Sequence, residues 1–189
     1  MTPDARDARA RLVALLKARS VLHGDFQLAS GRRSPHYVDC RRTTMHAEGL
    51  ALIGDLGLAA IRAAGWSPQL VGGLTLGADP VAYAIARATA GTATPIHAFT
   101  VRKVAKAHGA QRRIEGCFEV GAAAVVVEDV VTTGSSALEA AAVVREAGGS
   151  VCGILAVVDR EEGGREAIER AGFAVRSLCA LRELLTGTG

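Results

Sequence analysis

Apolar residues recur at helical spacing over residues 5–19. Leu12, Val13, Leu15 and Leu16 form one face, and Arg6, Arg9, Arg11, Lys17 and Arg19 lie mostly off it. The polar, Gly-containing stretch from His23 to Asp39 alternates in places and predicts a short hairpin. Residues 46–64 read as a long helix despite Gly49, Gly54 and Gly57. A glycine inside a helix costs about 1 kcal/mol relative to alanine, so something is expected to pack closely there. From residue 69 strands and helices alternate. Strands are predicted at 70–71, 96–101, 123–127, 153–158 and 173–178, and helices at 79–89, 135–147 and 164–171. That alternation predicts an α/β fold with a mainly parallel, five-stranded sheet covered on both faces. The runs AAVVV and GILAVV fit strands buried on both sides. Residues 102–117 break the rhythm, and a long loop inside a compact domain is usually functional or disordered.

Composition narrows the possibilities. A chain of 189 residues fits one domain (1–189), read as an N-terminal helix and hood over 1–45 and a core over 46–189. Hydrophobic residues make up 49% and charged residues 22%, which excludes a disordered chain. Aromatics are only 4%, so Ala, Val and Leu must fill the core. A net charge of +3 does not call for nucleic acid. No apolar run approaches the roughly 20 residues of a membrane span, and the polar start lacks the apolar stretch of a signal peptide. The expected location is the cytoplasm, with no membrane partner. Cys40, Cys117, Cys152 and Cys179 are widely spaced, which predicts free thiols and no structural zinc.

Three places can carry chemistry. In Val125-Val126-Val127-Glu128-Asp129-Val130-Val131-Thr132-Thr133-Gly134-Ser135-Ser136, a buried strand delivers two carboxylates to its C-terminal edge, and a loop of small and hydroxyl residues then opens a helix. Helix N-terminal N–H groups beside hydroxyls favour a phosphate. The acids would repel that phosphate unless they face sugar hydroxyls or developing positive charge, so the spacing points to a phosphorylated sugar. Ordinary capping by Ser135 explains part of the pattern but not the adjacent acids. The second place is the basic loop with Arg102, Lys103, Lys106, His108, Arg112 and Arg113. It is suited to neutralising a polyanionic leaving group, or, read blandly, is a solvated or nucleic-acid-touching loop. The third is Gly72-Gly73-Leu74-Thr75-Leu76-Gly77-Ala78-Asp79-Pro80, a turn that lets backbone approach an anion. Helix capping by Asp79 is an equally good local reading.

The first segment resembles the phosphoribosyl pyrophosphate (PRPP) motif of type I phosphoribosyltransferases: apolar residues, two acids, then a Thr/Gly/Ser loop. The pattern RKxxKxHG over 102–109 resembles the catalytic loop of orotate phosphoribosyltransferases. The run Gly24-Asp25-Phe26 to Asp39, with Ser30-Gly31-Arg32 and Ser34-Pro35, resembles their substrate hood, and residues 72–80 resemble their pyrophosphate loop. Two positions depart from this pattern, because Leu76 and Ala29 stand where some relatives carry Lys. The resemblance covers about residues 10–185.

It implies the type I phosphoribosyltransferase fold and transfer of phosphoribose from PRPP to orotate in pyrimidine biosynthesis. Arg102, Lys103, Lys106, His108, Glu128, Asp129, Val130, Val131, Thr132, Thr133, Gly134, Ser135 and Ser136 would bind PRPP, with Lys103, His108 and Asp129 catalytic. Thr132 and Arg160 would contact orotate; Arg160 otherwise reads as a surface residue paired with Glu161 or Glu162. Mg²⁺, held largely by substrate and water, is the implied cofactor, with no protein metal site. A homodimer is implied, its basic loop acting in the neighbouring subunit. The rivals are a purine or uracil phosphoribosyltransferase and a PRPP-sensing, nucleic-acid-binding regulator.

Overall fold

The structure is a computed structural model that describes residues 3–27, 33–104 and 113–186. Helix α1 (Pro3–Arg19) buries Leu12 and Leu16 completely. It is followed by β1 (Val21–Gln27) and β2 (Arg33–Val38), an antiparallel pair that forms its own two-stranded sheet, as the alternation predicts. A short helix, α2 (Arg41–Thr44), leads into α3 (Ala47–Ala63).

The main sheet is built from β3 (Leu70–Leu74), β4 (His97–Val101), β5 (Ile114–Gly116), β6 (Ala123–Val131), β7 (Ser150–Asp159) and β8 (Val175–Ala180). Helix α4 (Ala78–Ala88) follows β3, α5 (Ser135–Glu146) follows β6, α6 (Gly164–Arg170) follows β7, and α7 (Leu181–Leu185) follows β8. The strand order is β5-β4-β3-β6-β7-β8. Among the described residues the sheet has six strands, which corrects the predicted count of five. The five expected strands are the parallel ones, and β5 joins the edge antiparallel to β4. Three residues at an edge are too short to show a period, so β5 is hidden in the stretch that breaks the rhythm.

The central strands divide their side chains between two cores. Along β6, Val125 and Val127 pack with α1, α3 and α4 on one face. Ala124 and Val126 pack with Ala137, Ala140, Ala141 and Val144 of α5 on the other. Alternate residues of a strand point to opposite faces, and a strand covered on both must be apolar throughout. The glycines in α3 admit α4: a Cβ at Gly54 would sit 2.6 Å from the carbonyl oxygen of Ala84. The chain builds outward from β3 through β4 to one edge, then returns to β6 and builds outward through β7 to the other. The order reverses between β3 and β6. In open α/β sheets, ligands bind outside the carboxyl ends of the strands at such a point.

Candidate active site

At that point lies a cavity of about 740 Å³. Its floor is the end of β6. Glu128 is only 7% exposed, and its Oε2 has no hydrogen-bond partner among the described residues. Burial, and after it the neighbouring Asp129 carboxylate, push the Glu128 carboxyl well above the ordinary range. Asp129 accepts the Val130 N–H at 2.9 Å, and burial raises it as well. The ligand-free fold therefore binds a proton at Glu128 more tightly than the unfolded chain does. Stability falls as pH rises from the ordinary carboxylate range through the raised folded value. A Glu128→Gln variant should flatten that part of the profile when unfolding midpoints are measured against pH.

Thr132, Thr133, Gly134, Ser135 and Ser136 form the next wall. Gly134 is the N-cap of α5, at φ +81°, a backbone conformation that glycine adopts without strain. The capping role foreseen for Ser135 is thus corrected: Ser135 is the first helical residue, and its hydroxyl lies 3.0 Å from the Thr133 hydroxyl. The Thr133 hydroxyl also takes the Ser135 N–H, at 3.5 Å, so among the first-turn N–H groups of α5 those of Ser136 and Ala137 are left for a ligand. Val131 is a buried side chain whose carbonyl accepts the Arg160 N–H at 3.0 Å, so it contributes backbone to the wall.

Leu74, Thr75, Leu76 and Gly77 close the opposite side, with a cis Thr75–Leu76 peptide bond. A Cβ at Gly77 would fall 2.4 Å from Asp129 Oδ1, so only glycine lets this loop approach the acid. Asp79 does not cap α4. It is buried and accepts the Thr75 hydroxyl at 2.6 Å and the Thr100 hydroxyl at 2.8 Å, tying the loop to β4.

Arg160, just beyond β7, lines the cavity and is 6% exposed, so it is not a surface residue; it does pair with Glu162, at 2.8 Å. Lys103 lines the cavity of its own chain, and its charge favours ionised Glu128. Arg102 lies outside the lining, 3.7 Å from Glu115 of β5. Lys106 and His108 fall outside the described residues.

Sequence reasoning missed part of the wall. Gln27, Tyr37, Val38 and Asp39 line it from within the run read as a hood, though none was singled out as a site residue, and Cys40 and Arg41, from the turn after it, were not foreseen at all. Arg41 is held by Asp39 at 2.9 Å and lowers the pKa of Asp129, which adds a cation beside the acids. The signal for Arg41 was its place two residues after Asp39, at the end of the hood-like run. All four cysteines are free. Among the described residues no group of three or more His, Cys, Asp or Glu could hold a metal ion, and no helix is long and apolar enough to cross a membrane.

No family model matches the chain. The chain is 51% identical over 176 residues to the orotate phosphoribosyltransferase of Mycobacterium tuberculosis, covering 93% of this chain and 96% of that protein. It is 49% identical over 180 residues to that of Aquifex aeolicus, covering 94% and 97%. The crystal structure of the Mycobacterium tuberculosis H37Rv enzyme in complex with PRPP superposes with a TM-score of 0.77 at 45% identity, covering 94% of this chain and 98% of that one. A paired-acid strand end, a hydroxyl-lined helix entrance and a buried guanidinium share one cavity, in a chain about half identical to these relatives over nearly its whole length: this chain belongs to the orotate phosphoribosyltransferase family.

Proposed function

We propose that this chain transfers the 5-phosphoribosyl group from PRPP to orotate, giving orotidine 5′-monophosphate and pyrophosphate, a step of pyrimidine biosynthesis. The carrying observation is the single cavity that brings Glu128 and Asp129, the 132–136 loop, Lys103 and Arg160 together. In this reading the whole chain works as one catalytic domain, and residues 1–45 supply the hood. Backbone and hydroxyl groups of Thr132–Ser136 take the 5-phosphate. Glu128 and Asp129 face the ribose hydroxyls and favour positive charge growing at the anomeric carbon. That carbon's bond to the pyrophosphate oxygen breaks, and the bonding pair leaves with pyrophosphate. A ring nitrogen of orotate supplies the new bond and gives up its proton, which passes to the departing pyrophosphate or to water. Thr132 and Arg160 hold the base, because a guanidinium suits a carboxylate or a ring oxygen. No enzyme nucleophile is needed, so positioning and electrostatics do the catalysis.

Mg²⁺ fits this donor set as an ion held mainly by substrate oxygens and water, beside the unpartnered oxygen of Glu128 and the Asp129 carboxylate. When bound, it supplies charge neutralisation for the pyrophosphate. A pyrophosphate-release assay with PRPP, Mg²⁺ and each base in turn tests the reading. Release is expected with orotate, whereas faster release with a purine or uracil would overturn it. We place the enzyme in the cytoplasm, where four free thiols are stable.

We further propose a homodimer in which part of the basic loop serves the partner's site. Lys103 is assigned to its own chain, and Arg102, Lys106 and His108 to the neighbour. Mixed dimers separate the two. Arg102→Ala combined with Asp129→Asn should regain one working site per mixed dimer, and Lys103→Ala combined with Asp129→Asn should regain none. Absence of recovery in the first pair would remove the trans arrangement.

A further inference from the structure

We propose that Glu162 is a positioning residue for Arg160, an inference that rests on the reading of Arg160 as an orotate contact. The Arg160 guanidinium is almost fully buried at the cavity wall, with 5% of its side chain exposed against 15% for Glu162. Its Nε donates to Glu162 Oε1 at 2.9 Å, and its Nη2 lies 2.8 Å from the same oxygen. One carboxylate oxygen therefore straddles the Nε/Nη2 edge of the fork and takes that edge away from any ligand. Nη1 has no hydrogen-bond partner among the described residues. What remains for an incoming oxygen is the far end of the guanidinium, aimed by the partner that grips its side.

The turn that sets this pair is itself pinned. Glu161, between the two residues, has φ +57°, the one non-glycine positive φ among the described residues. Side chains rarely adopt that conformation unless the surroundings hold it. Its N–H donates to Asp159 Oδ1 at 2.9 Å. Asp159 Oδ2 accepts Arg165 Nε at 2.9 Å, and the Glu161 carboxylate pairs with Arg182. The Arg160 N–H is fixed on Val131 at 3.0 Å. A reversed residue between 160 and 162 brings the two side chains together, and the ion pair then selects one orientation of a long, otherwise rotatable arginine. Orienting a recognition group before the ligand arrives removes that cost from binding.

Steady-state kinetics on the full-length enzyme test this. Glu162→Ala should raise KM for orotate about tenfold, as expected when a charged hydrogen bond is lost, with KM for PRPP unchanged. Glu162→Gln, which keeps an oxygen acceptor in place, should restore most of the loss. A merely structural role would move both KM values together and show no rescue by Gln, and either result overturns the proposal. Should the alanine variant not fold, Glu162→Asp replaces it: the shorter acid cannot reach the same edge, so an unchanged KM for orotate overturns the proposal equally. Arg160→Ala separates the layers. If that variant leaves KM for orotate unchanged, the underlying reading of Arg160 fails. If it raises KM while every Glu162 variant keeps wild-type values, only the positioning role fails.

Discussion

Replacing Lys103 with alanine should lower turnover by about 10²–10³-fold, with the unfolding midpoint unchanged. The magnitude follows from removing one preorganised charged group aimed at developing negative charge, a loss of about 2.7–4 kcal/mol in the transition state. The position makes the effect separable from folding. Lys103 is an exposed residue two places past the end of β4 and lines the cavity without belonging to either core. Its charge reaches the buried Glu128 across the cavity. Exposed substitutions away from packed features seldom shift stability by more than about 0.5 kcal/mol. Steady-state rates with saturating PRPP and orotate, beside a thermal melt, check both halves. A near-normal kcat would contradict the role given to this lysine.

The largest loss of stability is expected from Phe99→Ala, about 3–5 kcal/mol. For a chain of this size that corresponds to a fall in Tm of roughly 6–20 °C. Phe99 is 1% exposed, at the centre of β4. Its ring packs edge-on to Phe118, with centroids 5.8 Å apart. On the neighbouring strand it lies against Gly72, where an added Cβ would be 2.6 Å from the ring. Glycine has no side chain to move into the vacated space, so the void persists, and a persistent void is what makes such a substitution costly. Phe99 does not line the cavity, so the folded variant should keep its kcat at low temperature. Differential scanning calorimetry measures the shift. A fall below about 3 °C would mean that the neighbouring side chains close the gap.

Much of the fold and of the site floor could be read from the chain because the signals were local. Val125–Val127 is a continuous apolar run, Glu128 and Asp129 are adjacent, and Gly134 directly precedes an apolar helix, so strand, acid pair and helix entrance follow from neighbouring residues. The unread parts depend on tertiary contacts. Asp79 has the sequence context of a cap, yet it accepts two hydroxyls, and one of them, on Thr100, is 21 residues away. Tyr37 falls in the run read as a hood, but Arg41 lies beyond it and reaches the cavity only because the turn after the hairpin is folded against it. Ile114–Gly116 becomes a strand by docking on β4, not by any period of its own. Lys103 and Arg102 are neighbours in one basic motif, but only the folded chain separates the residue that lines its own cavity from the one beside Glu115.

The β1–β2 hairpin has one further consequence. It shares no strand with the main sheet, yet it supplies Gln27, Tyr37 and Val38 to the cavity. Val21 and Val38 anchor its base in the core beneath the main sheet, while the exposed Gln27 and Tyr37 reach the cavity from outside that core. Exchanging Gln27 and Tyr37 is therefore expected to change which ring the proposed reaction accepts while the acid pair at the end of β6 stays in place, so the hairpin is the natural segment to alter when a different acceptor is wanted.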